Sequence, residues 1–241
     1  MKFDRSGGVL LHPTSLPGPY GVGELGPQAY RFVDWLASTG CKLWQVLPLG
    51  PTGYGDSPYQ CFSAFAGNPY LISFDALLEE GLLTQEDLAD APDFNASSVD
   101  FGLLIPWKLG LLQKAFSRFF SALTSYPKGS GAEVLVSDFK TFCADNASWL
   151  NDYALFMSIK EANGGGAWNE WEEPIRKRKK SAMDKARKGH AESIQRHSFY
   201  QFLFFRQWNK LRAYANEREI KIIGDIPIFI AYDSADAWSN A

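Results

Sequence analysis

Cysteine, histidine and long apolar runs are all scarce in this 241-residue sequence. Its three cysteines, Cys41, Cys61 and Cys143, are far apart and form no Cys-x-x-Cys pair. An odd number at this spacing fits neither a disulfide framework nor a zinc site. We interpret the cysteines as small buried apolar residues in a reducing compartment. The three histidines also lack metal-ligand spacing, so no metal site is predicted.

No apolar run approaches the roughly 20 residues that a membrane-spanning helix needs. Residues 1–6 (MKFDRS) lead into no signal-peptide core. We therefore expect a cytoplasmic protein without a membrane partner. A plastid is the alternative for a photosynthetic source, because a transit peptide can be removed.

Excess charge of one sign is also absent, since 24 Lys and Arg face 27 Asp and Glu, giving a formal net charge of −3. The one dense basic run is residues 176–180 (RKRKK). It could contact phosphate, but no aromatic residue interleaves to stack bases, and Glu170, Glu172 and Glu173 offset its charge. We interpret the run as a solvated helix face and predict no nucleic-acid partner.

Apolar residues make up 46% of the sequence and aromatic residues 15%, which predicts a globular protein with a large core. Residues 8–12 and 43–47 have the length and content of buried strands, and residues 27–38, followed by Gly40, have helical periodicity. This strand, helix, strand order predicts a parallel sheet whose chemistry lies in the loops after the strands. A third strand is predicted from residue 221 through residues 226–230.

Helical spacing dominates the middle of the sequence, and we predict three segments: residues 1–83 with the first strands, a helical insertion over 84–190, and residues 191–241 with a helix and the third strand. Thr84 and Asp87 form a capping-box-like helix start.

Residues 21–26 (GVGELG) match the dinucleotide pattern G-x-G-x-x-G. The match is weak, because a long loop separates it from residues 8–12 and the next strand ends without an acidic residue. We interpret these glycines as loop residues that let the chain turn back on itself. His12 is either a strand-end histidine satisfied by hydrogen bonds or a substrate contact, and the sequence leaves both open.

Two segments after predicted strands carry most of the polar chemistry. Residues 48–60 combine glycines, tyrosines, an acid and a hydroxyl, which suits a sugar and equally a structured loop without a ligand. Residues 224–238 gather three carboxylates and a tryptophan, the groups from which glycoside chemistry is built. For Asp233 and Ser234, capping of a following helix is the favoured interpretation.

Several long motifs of the sequence closely resemble the 4-α-glucanotransferases, also called amylomaltases or disproportionating enzymes. They are residues 8–17 (GVLLHPTSLP), 53–60 (GYGDSPYQ), 63–70 (SAFAGNPY), 224–228 (GDIPI) and 233–236 (DSAD). The resemblance implies an α/β fold, a (β/α)8 TIM barrel with helical insertions. It also implies transfer of α-1,4-glucan segments to the 4-hydroxyl of an acceptor sugar by a retaining double displacement. No metal, nucleotide or organic cofactor is implied.

The resemblance assigns substrate-binding roles to a few positions. Tyr59 matches a tyrosine lining the donor-sugar pocket, with Asp56 and Ser57 in the same loop. Asp225 matches an aspartate on the third barrel strand that supports the active site by hydrogen bonding. Tyr54 resembles a tyrosine of a more distant glucan-binding surface.

The family's nucleophile lies in an Arg-x-Asp-His type segment, which this sequence does not contain. We therefore expect the chain to hold no catalytic residue and about three of the eight barrel strands, with the catalytic remainder of the barrel beyond residue 241. We also expect no turnover by the 241 residues alone, because they lack the nucleophile. The alternative is a non-catalytic glucan-binding or interaction module. The sequence leaves the oligomeric state open.

Overall fold

A computed structural model describes residues 5–53, 55, 57–124 and 129–240. The chain divides into two compact units. Unit 1 comprises Met1–Leu49, Asn68–Phe120 and Leu203–Ile226, and unit 2 comprises the remaining segments, 50–67, 121–202 and 227–241.

Unit 1 contains a three-stranded parallel sheet in the order β1 (Gly8–Leu10), β2 (Leu43–Gln45) and β3 (Lys221–Ile223). Trp44 at the centre of β2 is fully buried, and its Nε1 donates to the Leu11 carbonyl at 2.8 Å. The parallel sheet and the three strand positions are confirmed.

The strands are shorter than predicted, and the extension of β3 through residues 226–230 is wrong. That stretch is irregular, and Ile228 and Phe229 are 91% and 83% exposed. Pro227 has no N–H to give to a ladder, and no described strand lies beyond β3 to accept one. Apolar content therefore indicated a strand where pairing is absent.

The helix α1 (Pro27–Ser38) has the predicted bounds. Proline at its first turn follows the N-cap Gly26, and Gly40 takes a positive φ of 76° after the helix. Its buried face is formed by Ala29, Val33 and Leu36.

Eight further helices are described: α2 (Phe74–Glu79), α3 (Phe101–Thr124), α4 (Gly131–Asp145), α5 (Ala147–Ala162), α6 (Glu173–Arg176), α7 (Lys180–Gly189), α8 (Ala191–Glu217) and α9 (Ala235–Ser239). The Thr84 N–H donates to Asp87 at 2.9 Å, as the capping box predicts, but the turn that follows is the 3-10 helix Gln85–Leu88. Among the described helices, none combines the length and apolarity needed to cross a bilayer.

The core of unit 2 is rich in aromatic residues. Trp238 is fully buried, and its ring centroid lies 5.6 Å from that of Trp171 and 5.9 Å from that of Phe156. All three cysteines are free thiols, but only Cys61 is buried. Cys41 and Cys143 are partly exposed, so the prediction of burial is wrong for these two.

A buried ion pair lies in unit 1. Nζ of Lys108, on α3, donates to the Glu24 carboxylate, and the other carboxylate oxygen accepts the Phe74 N–H at 3.1 Å. Lys108 is fully buried and lies 4.2 Å from the centre of the Phe74 ring. The α3 helix therefore contacts the loop before α1 through charge as well as apolar packing.

Candidate functional site

The loop with the predicted sugar-binding residues is a closed hairpin in unit 2. Its stem is formed by the Gly53 N–H, which donates to the Gln60 carbonyl at 2.7 Å, and by an antiparallel bridge between Thr52 and Cys61. Short backbone hydrogen bonds of this kind fix the loop without regular strands. Main-chain pairing therefore holds the stem of the hairpin together.

Ser57 and Tyr59 lie near the tip of this hairpin. Ser57 Oγ accepts the Tyr59 N–H at 3.3 Å, and Tyr59 is 43% exposed. Serine oxygens commonly turn the chain in this way, so Ser57 shapes the backbone that carries the tyrosine. Tyr54 and Asp56, the other two predicted residues of the loop, lie outside the described residues.

The base of the hairpin is held by α9. Asp236 accepts hydrogen bonds from the Ala64 N–H at 2.7 Å and from Ser63 Oγ at 3.2 Å. The Ala235 N–H donates to the Phe62 carbonyl at 2.8 Å. Asp236 is therefore an anchor of the loop, a role that its position in the sequence did not indicate.

Asp233 and Ser234 precede α9, and only one of them caps it. Ser234 Oγ accepts the Ala237 N–H at 3.1 Å, as predicted. Asp233 instead pairs with Lys160 Nζ at 2.6 Å and accepts the Trp168 N–H at 3.3 Å, so capping is wrong for Asp233. Aspartate and serine both favour the N-cap position, so residue type alone does not decide which of the two caps α9. Ser234 directly precedes the first residue of the helix, which makes it the N-cap.

Asp225 follows β3 in unit 1 and is exposed. Its Oδ1 accepts the N–H of the next residue, Ile226, at 2.8 Å. Asp225 belongs to unit 1, whereas Ser57 and Tyr59 belong to unit 2.

His12 is satisfied by hydrogen bonds, which favours its structural interpretation. Its Nδ1 accepts the Thr14 N–H at 3.3 Å, and Nε2 lies 3.3 Å from the Pro48 carbonyl, to which it donates as a neutral ring. Burial lowers the pKa of this imidazole below its ordinary value of 6.5. Burial also lowers the pKa of His197, against the hydrogen bond to Glu161, which raises it.

These two histidines predict a pH dependence of stability. Because the folded protein holds each proton less tightly than the unfolded chain, stability is fully present above pH 6.5 and falls as the pH drops below it. His12→Gln is expected to make the urea midpoint fall less steeply between pH 7.5 and 5.5. An unchanged slope in this variant would contradict the role given to His12, and His190→Gln serves as the control.

The glycines of residues 21–26 shape a loop, as predicted. Gly21 has a φ of 76°, and the Gly23 N–H donates to the Thr14 carbonyl at 2.9 Å. A Cβ on Gly23 would lie 1.9 Å from the Pro13 carbonyl oxygen, so only glycine permits this approach. The motif packs against the 3-10 helix Pro13–Ser15.

The basic run is only partly a solvated face. Lys177 pairs with Glu173 at 2.8 Å and is exposed, as predicted. Arg178 is half-buried: it donates to Asp152 at 2.7 Å and covers the Trp238 ring at 4.4 Å from its centre. Periodicity and charge could not predict this role of Arg178, because neither contact lies within a helical turn of it. Within the described residues, no three His, Cys, Asp or Glu side chains converge on a metal-sized site.

Comparisons with known proteins agree along almost the whole chain. A family model described as 4-alpha-glucanotransferase matches residues 11–241. A 4-alpha-glucanotransferase of Thermus thermophilus is 50% identical over 240 residues, covering 100% of this chain and 46% of that protein. A chloroplastic or amyloplastic 4-alpha-glucanotransferase of Arabidopsis thaliana is 42% identical over 238 residues, covering 98% of this chain and 39% of that protein.

Solved structures show the same similarity in the fold. An amylomaltase from Streptococcus agalactiae, in complex with acarbose, matches with a TM-score of 0.89 and 39% identity, over 98% of this chain and 46% of that one. An amylomaltase from Corynebacterium glutamicum matches with a TM-score of 0.69 and 17% identity, over 98% of this chain and 32% of that one, which shows the fold alone. The chain thus spans about half the length, or less, of the relatives it matches.

Proposed function

The chain belongs to the 4-alpha-glucanotransferase family, and from this premise we propose that the protein transfers segments of α-1,4-glucan to the 4-hydroxyl of an acceptor glucan or glucose. The observation that carries the proposal is the match of the family model to residues 11–241. The proposed chemistry is a retaining double displacement, in which one carboxylate holds the glycosyl group covalently while another acts first as acid and then as base.

Substrate binding is the contribution we assign to the 241 residues, and no reacting carboxylate is assigned to them. The exposed ring of Tyr59 is proposed to face the donor sugar, because a tyrosine combines an apolar face with a hydroxyl that can reach sugar oxygens. Ser57 supports it through the turn that positions its main chain. Asp56 in the same loop and Tyr54, on a more distant glucan-binding surface, are proposed with them.

Asp225 is proposed to support the active site by hydrogen bonding from the end of β3. Its place directly after a parallel strand supports this assignment, since active sites of α/β folds lie at the carboxyl ends of such strands. Two carboxylates later in the sequence, Asp233 and Asp236, have structural partners in Lys160 and the loop base. They are not proposed as reacting groups.

The finer fold is proposed to be a (β/α)8 barrel in which β1, β2 and β3 are the first three strands, with the remainder of the barrel contributed from outside the 241 residues. Sequential parallel pairing and the helix between β1 and β2 support this arrangement. Residues 1–83 and 191–241 are proposed as barrel segments and residues 84–190 as a helical insertion. We further propose a cytoplasmic or plastid location, no cofactor, and α-1,4-glucans rather than nucleic acids or membranes as partners.

Maltotriose tests the proposed function directly. The intact gene product is expected to convert it into glucose and maltooligosaccharides longer than maltotriose, because the acceptor hydroxyl of a second sugar replaces water. The products are separated by high-performance anion-exchange chromatography. Hydrolysis to glucose alone would refute the transferase assignment. If maltotriose is not converted at all, the assignment of a catalytic function is refuted.

A further inference from the structure

Unit 2 contains an open cleft of about 570 Å³ that the proposed transfer reaction does not use. It is lined by the aromatic residues Trp168 and Tyr232, the amide Asn169 and the cationic residues Arg176, Lys177 and Arg178. Trp238 also contributes to its wall, and no carboxylate is among these lining residues. The volume suits a small polar molecule of about the size of a sugar phosphate.

Two aromatic rings form one side of the cleft. The centroids of Trp168 and Tyr232 lie 5.1 Å apart, with the ring planes inclined by 35°. Trp168 is buried, and its Nε1 donates to the main-chain carbonyl of Tyr232 at 2.6 Å, which fixes the segment. The Tyr232 side chain takes no part in that bond and the residue is 65% exposed, so its ring can receive the C–H face of a pyranose.

Arg178 presents a donor for which the protein supplies no acceptor. Its Nη2 is committed to Asp152 at 2.7 Å, and its guanidinium covers the Trp238 ring. Its Nη1 is buried and has no hydrogen-bond partner within the described part of the chain. A buried N–H without an acceptor is costly, and a ligand oxygen would relieve that cost.

The backbone holds Arg178 in a conformation that arginine rarely adopts. Its φ is 48°, in the left-handed region, where the Arg178 N–H donates to the Ile175 carbonyl at 3.0 Å and the next N–H donates to Pro174 at 2.9 Å. Glycine would relieve this strain but would remove the guanidinium from the cleft. These two hydrogen bonds are those of a helix C-cap, so the end of α6 sets the positive φ of Arg178 and directs its side chain from that position.

The remaining polar groups of the lining are mostly donors. Arg176 Nη1 donates to the Asn169 carbonyl at 3.0 Å, and Lys177, which also lines the cleft, is paired with Glu173 at 2.8 Å. Such a lining favours ligands rich in acceptor oxygens, and forked guanidinium donors match phosphate in particular. The edge of a nucleobase needs acceptors as well, and Asn169 is the one neutral amide among the lining residues.

We propose that this cleft binds a glucose unit that carries a phosphate monoester, with the phosphate at Arg178 Nη1 and Arg176 and the sugar ring against Tyr232. The ligand could be a free hexose phosphate or a phosphate ester on a glucan chain, since both present the same group. The inference does not depend on transferase activity, because it rests on a cleft that Tyr59 and Asp225 do not line.

Isothermal titration calorimetry of the intact gene product tests the proposal. Glucose 6-phosphate is expected to bind at least about tenfold more tightly than either glucose or inorganic phosphate, because the cleft holds both halves of the ligand. A maltotriose phosphorylated at one 6-hydroxyl distinguishes the two sources: tighter binding than glucose 6-phosphate identifies the chain-borne ester, and weaker binding identifies the free sugar phosphate. Equal affinity for inorganic phosphate would overturn the proposal, as would no binding of either ester.

Variants locate the binding. Tyr232→Ala and Arg178→Lys are each expected to weaken binding of glucose 6-phosphate about tenfold, since one removes the ring and the other the forked donor. Lys188→Gln, which removes an exposed charge of α7 outside the cleft, should leave the affinity within about twofold. Tyr59→Ala should also leave it unchanged, which separates this site from the proposed transfer site. Unchanged binding in Tyr232→Ala would overturn the proposal even if Arg178→Lys fails to fold.

Discussion

Glu24→Gln is expected to destabilise unit 1 by about 3–5 kcal/mol, because it leaves the buried Lys108 ammonium without its carboxylate partner. Lys108 is fully buried and Glu24 is 8% exposed, so water replaces little of the lost interaction. The aromatic face of Phe74, 4.2 Å from Lys108 Nζ, compensates for only part of it. The free energy of this contact should therefore greatly exceed that of the surface pairs.

The reciprocal variant, Lys108→Met, is expected to cost less. Burial raises the pKa of the Glu24 carboxyl, so without lysine it can take up a proton, and its second oxygen still accepts the Phe74 N–H. Burial also lowers the pKa of Lys108, which limits but does not remove the cost of Glu24→Gln. Replacing both residues by apolar ones should restore only part of the stability, because the buried Phe74 N–H then loses its acceptor.

Urea unfolding followed by tryptophan fluorescence measures these differences as shifts of the midpoint. Glu219→Gln is the matched control in unit 1, because the pair between Glu219 and Lys42 is 2.8 Å long but exposed, and it should leave the midpoint unchanged. Equal midpoints for Glu24→Gln and this control would show that the buried pair does not hold α3 in place.

Features of this fold can be predicted from the sequence where their physical cause lies in neighbouring residues. The α1 bounds follow from Pro27, a 3.6-residue period and Gly40, all within the helix or next to it, and they are confirmed. The ends of β3 depend on whether a neighbouring strand pairs with it, which apolar content does not encode. The buried pair joins residues that are 84 positions apart, and a lysine within the apolar α3 sequence was its one visible trace.

The residues of the candidate site also differ in whether the sequence alone could predict their roles. Composition alone leaves residues 48–60 open between a sugar site and an unliganded loop, and the resemblance between long motifs singles out Tyr59 and Asp225. Arg178 was assigned to a solvated face, because helical periodicity cannot anticipate a positive φ at an arginine. Its contact with Trp238, 60 positions away, required the tertiary fold.

Asp225→Asn in the intact gene product is expected to lower kcat for maltotriose transfer about 10²–10³-fold, the range found when a preorganised polar group of an active site is lost. The carboxylate is exposed and bonds the adjacent Ile226 N–H, a contact that asparagine can also make through its side-chain oxygen. The fold should therefore persist, and the lost activity should reflect the lost charge rather than a rearranged loop.

Two measurements separate this effect from a structural one. Asp90→Asn, which makes the same substitution at another exposed aspartate of unit 1, should retain full activity. The loss in Asp225→Asn should appear in kcat more than in KM, since a group that supports the reacting centre acts on the transition state rather than on ground-state binding. A variant that keeps the parent's kcat would exclude Asp225 from the active site. A variant whose unfolding midpoint falls far enough to explain its lost activity would do the same. In either case Asp225 would be a structural residue at the end of β3.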